Sequence, residues 1–564
     1  MFARAPLPHC RSRGDTARPP PSSPQPPSNV LIPRLREAIH ALDTKVAALL
    51  TQRRDLESRL EHAVRLQSPV LRLPSELLSE IFVNGVLGNA RDAEEEEESG
   101  TSGPVMLPTL MLVCRYWFEV ALATPCLWAR ISVSPLHSLE QARRKLARSS
   151  SCPLDININF GPRTDFSATA TSGIMEQVVR SMDLFSPAIW RIKSFRLSVP
   201  NRPQAHAVLV RCQTDAPLLE VLSIRVFHAL QDDNYSVPPL PLFNGRTPRL
   251  RSCSFTSFNF AWDIRLVAHL RVLKLGGYFN AHTPSANTLL GILRESPHLE
   301  ELALRNLSDV ECALGPCVTS EELEFPTLTK IVHLPRLKRV SFYCAGVALS
   351  RQLMAQFSFP SLESLELCYL ENVTPILQLV YTQALTRLPL RRLRIESCLY
   401  NEQKLLTVLR RIPSLTALEL VDVEDASSGL LRGLSSSQPW VCPKLDSLTL
   451  DGCTSLDWDS LRTFVESRLP ANSHAYPRVY PQRATHAVTS ASAAAAEHAA
   501  RARSHPQPAA ARHPAAALLG PLRLRAIDVT RCTQISKEMV QWLRMYVAEV
   551  KCERAKGVWG ELLP

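Results

Sequence analysis

The sequence lacks a long hydrophobic run: in 564 residues, no continuous apolar stretch approaches the roughly 18 residues of a membrane-spanning helix. We therefore expect no transmembrane segment and no membrane partner. The first 30 residues are rich in proline, serine and arginine and contain no apolar core segment, which argues against a secretory signal. We interpret residues 1–30 as a disordered tail.

Cysteine pairs are also missing. The fifteen cysteines are scattered, and none forms a CxxC pair or a Cys/His spacing typical of zinc sites. Without an export signal, we expect reduced thiols that are mostly buried as small apolar groups, and a protein of the cytoplasm, the nucleus or both. The sequence predicts no metal site and no cofactor.

Catalytic signatures are equally absent. The sequence contains no GxSxG elbow, no Walker A loop, no GxGxxG after a strand and no HExxH. Cys114 falls in a segment that we expect to be buried, which makes it a poor nucleophile. We therefore predict no catalytic residues and a protein that is not an enzyme.

The net charge is +11, from 64 basic and 53 acidic residues, but the excess is not concentrated in a dense basic block. The nearest cluster, RRKLAR at 143–148, is interpreted as the solvated face of a helix, with Leu139, Ala142 and Leu146 on the other side. Nucleic acid is therefore not the partner that we expect.

A heptad pattern occupies residues 31–67. Its two seam positions hold Ile39, Val46, Arg53 and Leu60, and Leu42, Leu49, Leu56 and Ala63. Arg53 is the one break in this apolar seam. The pattern favours a coiled coil, formed either by a homodimer through residues 35–63 or by folding back on the rest of the chain. A single amphipathic helix that packs locally has the same signature.

Two apolar helical segments lie within residues 69–132. In LPSELLSEIF, which begins at Leu73, apolar residues recur at three- and four-residue steps, and Pro74 stands where a first helical turn tolerates proline. The second segment contains LVCRYWFEVALATPCLW. A glutamate-rich insert at 88–104 separates them and is expected to be a solvated loop. About 60 residues do not need this much apolar surface for themselves, which predicts a partner site.

Together the two segments resemble an F-box, the module that docks F-box proteins onto the Skp adaptor of cullin–RING ubiquitin ligases. The matching residues are Leu73, Pro74, Glu76, Leu77, Ile81, Phe82, Leu112, Val113, Cys114, Arg115, Trp117, Pro125, Leu127 and Trp128. The acidic insert departs from the family pattern, but by loop-closure scaling it costs about 1 kcal/mol or less. A heptad helix before the box is similar to the arrangement in a large group of fungal F-box proteins.

The resemblance implies an adaptor-binding surface on the box. We expect it to comprise Leu73, Pro74, Leu77, Leu78, Ile81, Phe82, Leu112, Val113, Trp117, Leu127 and Trp128.

A repeated frame fills the next part of the chain, with apolar residues at positions 1, 4 and 6, often preceded by proline and one other residue. PLLEVLSI from Pro217, PSLESLEL from Pro360 and PKLDSLTL from Pro443 are examples. The first apolar positions are 192, 219, 250, 270, 299, 337, 362, 390, 415 and 445. Their mean step of about 28 residues lies in the range of leucine-rich repeats.

The frame predicts a short strand with alternate side chains inward, and the intervening segments have helical spacing. Stacked strand–helix units would bury one another in a solenoid. Cys398, Cys453 and Cys532 follow the last apolar position by three residues, which resembles the cysteine-containing repeats of F-box proteins, and we expect them to be buried after the strand. A (β/α) barrel is the competing fold, although the strand ends lack its glycine-rich or charged character.

A segment rich in alanine, histidine, proline and arginine interrupts the array at 470–519 and is expected to be largely disordered. The next frame begins at Leu524, and removing about 51 residues restores the 28-residue step, so we interpret the segment as an insertion within one repeat. The stretch from Ile535 predicts an amphipathic cap helix that includes Val547.

The predicted organisation is a tail at 1–30, a coiled-coil helix at 31–67, an F-box at 69–132 with its insert at 88–104, repeats at 152–469 beginning with an irregular strand–helix unit, an insert at 470–519, and a last repeat with a cap helix at 520–564.

The predicted fold class is thus α/β, a leucine-rich-repeat solenoid preceded by a small all-α F-box and an N-terminal coiled-coil helix. The resemblance implies a substrate-recognition subunit of a Skp–cullin–F-box ubiquitin ligase. Its box would dock the Skp adaptor, and through it cullin, and its repeats would bind a target protein for ubiquitination. The alternative is a non-catalytic interaction scaffold independent of ubiquitin ligases, of which a nucleic-acid-associated protein is one form.

Overall fold

The computed structural model divides the chain into two compact units, Met1–Leu127 and Trp128–Pro564. It describes residues 28–67, 69–88, 106–135, 137–161, 168–227, 242–258, 260, 262–278, 283–307, 331–384, 388–424, 427–436, 439–469 and 521–552. The predictions for residues 1–27, for the acidic insert beyond Gly88 and for the insert at 470–519 therefore lie outside the described residues. Within the described ranges, no helix combines the length and the apolar character that crossing a membrane requires.

The first unit is helical. Its helices are α1 (Ser28–Gln67), α2 (Ser75–Gly88), α3 (Met106–Met111) and α4 (Arg115–Leu122), with 3-10 turns at Val70–Arg72 and Pro125–Trp128. Helix α2 packs against both α3 and α4. The sequence predicted the helices α1 and α2, and α1 begins a few residues earlier than the heptad pattern. It predicted one apolar helix after the insert, which the structure divides into α3 and α4.

Two contacts fix the ends of α2 and α4. The carbonyl of Pro74 accepts the N–H of Leu78 at 3.1 Å, so proline stands just before α2, where its missing N–H costs nothing. The sulfur of Cys114 accepts the N–H of Trp117 at 3.5 Å and caps α4. Cys114 is half-buried rather than buried, which corrects the expectation from the sequence, because a capping side chain must lie at the helix end.

The second unit contains a sheet of fourteen strands. The strands of this unit are β1 (Arg130–Val133), β2 (Leu154–Asn159), β3 (Ile192–Val199), β4 (Val221–Val226), β5 (Ser252–Thr256), β6 (Val272–Tyr278), β7 (Glu301–Leu307), β8 (Val332–His333), β9 (Arg339–Tyr343), β10 (Phe357–Ser358), β11 (Ser364–Cys368), β12 (Arg392–Glu396), β13 (Ala417–Val421), β14 (Ser447–Asp451), β15 (Ala526–Asp528) and β16 (Glu549–Lys551). Strands β8 and β10 form a separate pair, and the others follow chain order in one parallel sheet.

Helices connect most of the successive strands. They are α5 (Leu139–Arg148), α6 (Ala168–Phe185), α7 (Arg202–Leu209), α8 (Ile264–Val267), α9 (Ala286–Arg294), α10 (Val347–Gln356), α11 (Thr374–Ala384), α12 (Glu402–Arg411), α13 (Ser428–Leu434), α14 (Trp458–Ser467) and α15 (Lys537–Tyr546), with 3-10 turns at Ser186–Arg191 and Leu242–Gly245. Parallel strands in chain order with intervening helices are the arrangement of an α/β solenoid. In the described part of the sheet, β1 and β16 are open edges that do not pair, which excludes the barrel alternative.

The repeated frame explains the strand positions. From β4 to β15 in the large sheet, each strand begins two residues after the first apolar position of its frame, which confirms the predicted strands. In β12, Leu393 and Ile395 are buried while Arg392, Arg394 and Glu396 alternate on the other face. Because the registers align, the buried leucines of neighbouring strands form continuous rows through the core.

Each edge of the sheet carries a strand that the sequence did not predict. Strand β1 pairs with β2 in a place where the sequence predicted the box to continue. At the other edge, the predicted cap helix ends at Tyr546, and Val547 is buried and extended with φ −115°. The backbone then pairs with β15 as β16, because the open edge of β15 offers hydrogen bonds to the chain that follows it. Strand β14 lies beside β15 although residues 470–520 separate them in sequence.

The chain leaves successive strands through a shared turn. Left-handed residues follow five strands directly: Ser257, Cys344, Tyr369, Ser397 and Asp422, with φ between 47° and 56°. Each of their N–H groups donates to a carbonyl of the next repeat at 2.8–2.9 Å. Such a conformation costs a non-glycine residue roughly 1–2 kcal/mol, and the hydrogen bond that extends the ladder offsets this cost.

The predicted cysteine positions are buried, which confirms that expectation. The thiols of Cys398, Cys453 and Cys532 lie 3.4, 3.6 and 2.7 Å from carbonyl oxygens of the preceding repeat, those of Leu367, Leu420 and Leu450. Burial raises the pKa of Cys453 to about 12 and those of Cys398 and Cys532 to about 11. They are protonated donors at neutral pH and hold neighbouring repeats together.

Candidate docking surfaces

The box carries large apolar side chains that remain exposed among the described residues. Leu77 and Ile81, one turn apart on α2, are 49% and 53% exposed. Leu112 and Val113, in the turn between α3 and α4, are 85% and 55% exposed. Helix α2 is therefore apolar on two faces, of which only one meets the rest of the unit. Clustered exposed apolar side chains on a small helical unit mark a surface for another protein.

Four residues of the predicted adaptor surface are instead buried within the chain: Leu78, Phe82, Leu127 and Trp128. Phe82 packs on Trp117 with ring centroids 5.0 Å apart, and the guanidinium of Arg148 lies 4.4 Å from the ring of Trp128. Their inclusion in the docking set is corrected, because a side chain that already packs internally offers no surface. The sequence cannot separate Leu78 from Leu77, since both fit the same apolar spacing.

The remaining predicted residues lie at the boundary of the exposed face. Pro74 is exposed, whereas Leu73 and Trp117 are half-buried. The hydroxyl of Tyr116 donates to the carbonyl of Leu73 at 3.1 Å and fixes the start of α2 against α4. Leu73 and Trp117 therefore hold the helices together, and Pro74 adds to the exposed face.

Phe118 belongs to the exposed set, although sequence reasoning missed it. Its side chain is 40% exposed on α4, off the face that buries Val120 and Ala121. The family pattern includes Trp117 and not its neighbour, so Phe118 gave no motif signal. Its apolar character on a helix whose inner face was already occupied is the cue that could have found it.

The rim of this face is polar. Glu76 and Glu80 are exposed on α2, and Arg115 pairs with Glu119 across one turn of α4 at 3.0 Å. We name the box face after its six exposed apolar members: Pro74, Leu77, Ile81, Leu112, Val113 and Phe118. An apolar centre with a charged rim is the usual anatomy of a protein interface.

The second candidate surface is the outward side of the large sheet, where every second strand residue faces away from the core. Its first part is basic. Strands β3 to β6 carry Lys193, Arg196, Arg225 and Lys274, contain no aspartate or glutamate, and otherwise present mainly serine and threonine outward.

After Asp155 of β2, the next acidic residue in the strands of the large sheet is Glu301 of β7. Glu301 is 17% exposed and accepts from Lys274 at 2.8 Å and from Arg339 at 2.5 Å. Burial alone would raise the pKa of Glu301, but hydrogen bonds from these two cations outweigh it and hold that pKa below its ordinary value. The carboxylate is therefore ionised at neutral pH and bridges three adjacent strands.

A denser ion-pair network follows on β11 to β13. Glu419 accepts from Arg392 at 2.8 Å and from Arg394 at 3.1 Å, and Arg394 also donates to Glu396 at 2.6 Å. Burial alone would lower the pKa of Arg394, but the two carboxylates raise it well above its ordinary value. In this part of the sheet the charges are largely neutralised by one another.

Two tyrosines stand out on the charged face. The rings of Tyr343 and Tyr369 lie 4.9 Å apart at the ends of β9 and β11, and both remain exposed. A hydrogen bond with Glu396 raises the pKa of Tyr369. Exposed aromatic side chains are common anchors in protein interfaces.

The structure brings no metal-binding chemistry together. Across the described ranges, no group of three histidine, cysteine, aspartate or glutamate side chains is placed to hold a metal ion.

Comparison with known proteins identifies the family of the domain that carries the box face. A search of curated proteins finds no match to this chain. A family model does match: that of the F-box-like domain, at residues 70–134, which span α2, α3, α4 and the box face. Residues 70–134 are therefore an F-box-like domain, followed by an α/β region with a parallel sheet of fourteen strands.

Proposed function

We propose that this chain is the non-catalytic substrate-recognition subunit of a Skp–cullin–F-box ubiquitin ligase. The observation that carries the proposal is the coincidence of an F-box-like match with an uncovered apolar face on the same helices. F-box domains generally dock the Skp adaptor, and proteins that contain them are typically non-catalytic adaptors. The chain would therefore join a target protein to the ligase.

The box face is the proposed adaptor site. Leu77 and Ile81 are each about half exposed, so covering them would contribute roughly 1 kcal/mol each. Leu112 is 85% exposed and would contribute about 2 kcal/mol. The buried residues Leu78 and Phe82 support the same helix from behind, so the face is held rigid before docking.

We further propose that the α/β region is a leucine-rich-repeat array whose outward sheet face binds the target. The basic charge of strands β3 to β6 supports an acidic segment of the target as their ligand. These four strands carry basic residues, among them Arg196, Arg225 and Lys274, and no aspartate or glutamate. A carboxylate-rich segment would complement this local excess of basic side chains.

Catalysis in this scheme is positioning. The target would be held near a conjugating enzyme that the cullin recruits, and a high effective concentration of the target lysine would speed ubiquitin transfer. No catalytic residue is required in this chain.

Co-purification of the full chain with a Skp adaptor tests the proposal. The wild type should form a stable complex, and Pro74→Ala/Leu77→Asp should lose it, because an unpaired carboxylate in an apolar interface costs several kcal/mol, on the order of a thousandfold in affinity. Gln141→Asp adds the same charge on the exposed side of α5 and should leave the complex intact. A wild type that forms no complex would refute the proposal.

The basic strands favour one second candidate, a scaffold associated with nucleic acid. Arg196, Arg225 and Lys274 would then contact phosphates, and binding would weaken steeply as salt concentration rises. Titration of the chain with single- and double-stranded oligonucleotides at two salt concentrations separates the candidates. Binding that Arg225→Glu abolishes, together with no adaptor complex, would favour the scaffold.

A further inference from the structure

Helix α1 carries an apolar stripe that stays exposed in the part of the chain that the structure describes. Its members are between 47% and 65% exposed: Ile32, Leu35, Ile39, Leu42, Val46, Leu49, Leu50, Leu56 and Leu60. The helix is 40 residues long, about 60 Å at 1.5 Å per residue. A helix of this kind draws most of its stability from packing of its apolar face. The stripe therefore needs an occupant.

Arg53 interrupts the stripe at a seam position. Arg53 is one of the residues that line a shallow groove on the helix. The other lining residues are Leu49, Gln52, Leu56, Glu57 and Leu60. The Nε of Arg53 donates to Glu57 at 2.7 Å, one turn further along, and both side chains are exposed. The charge is therefore paired within its own helix, at the flank of the stripe.

We propose that α1 pairs with α1 of a second copy of this chain, and that the two helices run antiparallel. Reversing one copy aligns the stripe with itself over its whole length. The opposed pairs are Ile32 with Ala63, Leu35 with Leu60, Ile39 with Leu56, Leu42 with Arg53, and Val46 with Leu49. The pattern is self-complementary, which identifies a second copy as the occupant.

The position of Arg53 selects the orientation. In a parallel, in-register pair, each seam residue faces its own copy, and two Arg53 guanidinium groups would meet in the seam. Like charges brought together in an apolar interface are strongly unfavourable. In the antiparallel pair, Arg53 instead faces Leu42 of the second copy and keeps Glu57 at its side.

A charge pair flanks the antiparallel seam as well. Arg36 is located beside the stripe near one end of α1, and Glu57 lies beside it near the other. Antiparallel alignment brings Arg36 of each copy next to Glu57 of the other, so the contact forms twice. The boxes that follow α1 would then lie at opposite ends of the paired helices. This inference does not depend on the proposed adaptor role.

Light scattering on the full chain at tens of micromolar tests the pairing. The wild type should have twice the mass of one chain, and Leu49→Asp, in the stripe, should halve that value. Thr51→Asp adds the same charge on the opposite side of α1 and should remain a dimer. The unfolding of the sheet region, followed by circular dichroism, should be unchanged in both variants, because the core cluster of that region is built from residues that follow Trp128.

Disulfide mapping tests the orientation. Leu35→Cys and Leu60→Cys chains are mixed, mildly oxidised and digested, and the linked peptides are identified by mass spectrometry. Positions 35 and 60 are about 25 residues, or roughly 37 Å, apart on one helix, far beyond the reach of a disulfide, about 7 Å between Cα atoms. A 35–60 link between copies supports the antiparallel pair. A monomeric wild type, a dimer that survives Leu49→Asp, or 35–35 links in place of 35–60 links would each overturn it.

Discussion

Substitution of Arg468 tests which contacts hold the C-terminal end of α14 in place. The side chain is 2% exposed, although it carries a charge. Its guanidinium donates to the carbonyls of Val441 at 2.9 Å, Cys442 at 3.2 Å and Leu445 at 3.4 Å, and stacks 4.8 Å from the ring of Phe464. It therefore ties the end of α14 to the turn that leads into β14.

The cost of removing this guanidinium follows from what it satisfies. Replacing Arg468 with methionine keeps an apolar side chain of similar length but removes a donor from three carbonyls. The carbonyl of Cys442 keeps the N–H of Leu445 at 3.0 Å. The carbonyls of Val441 and Leu445 lose the donor that Arg468 supplies, at about 1–3 kcal/mol for each unsatisfied group. The net loss of stability is smaller than this sum, because the buried charge of Arg468 is itself unfavourable. Burial lowers the pKa of Arg468 to about 10, which shows that its charge is incompletely compensated in the native protein. We expect Arg468→Met to lower the free energy of unfolding by about 2–4 kcal/mol.

Arg462→Met is the matched control. Arg462 lies on α14 and is 52% exposed. It pairs with Glu466 across one turn at 2.8 Å, and its guanidinium lies 5.6 Å from the ring of Trp542, so its loss should cost no more than about 1 kcal/mol. Denaturant unfolding of the full chain, followed by far-ultraviolet circular dichroism, measures both. Equal stabilities of the two variants would refute the role assigned to the buried guanidinium.

Three further predictions concern the sheet. Because its two cationic partners hold the pKa of Glu301 below its ordinary value of 4.5, its stabilisation is present above that pH and is lost as pH falls through the folded-state pKa. Glu301→Gln should therefore cost about 1–2 kcal/mol at pH 7 and much less near pH 2, and equal losses at both would contradict this. Gly277 has φ +69°, and a Cβ there would collide with the hydroxyl of Ser257, so Gly277→Ala should lower the melting temperature by several degrees. Gly173→Ala meets no atom within 4 Å in helix α6 and should be neutral or stabilising, and equal melting temperatures for the two variants would count against the strain at Gly277. Cys453→Ala should cost about 1–2 kcal/mol in denaturant unfolding, since the thiol fills the core and bridges two repeats; an unchanged midpoint would argue against that bridge.

The repeat frame predicted the sheet well because its leucines act in register. Each first leucine is buried before its strand, and the alternation that follows places polar side chains outward, as in Arg392 and Arg394 of β12. The sequence did not predict β1 and β16, because strands of four and three residues are too short to show a clear alternation of apolar and polar residues. They exist because the neighbouring strand offers open hydrogen bonds.

The box shows a different limit of prediction from the sequence. Apolar spacing found its helices and its family, but Leu77 and Leu78 are equivalent in that pattern and differ only in what packs against them. The sequence did not predict Phe118 as an exposed residue for the same reason, since the exposure of its side chain depends on the packing of α2 against α4. Spacing along one helix specifies a stripe, whereas tertiary contacts decide which part of the stripe stays free.

Hydrogen exchange of the full chain with and without a purified Skp adaptor is the most direct test of the central claim. The proposal predicts slower exchange in peptides that cover α2 and the turn between α3 and α4, with no comparable change in the helices of the repeat region. Unchanged exchange across Ser75–Gly88 and around Leu112, with the adaptor present at saturating concentration, would contradict it.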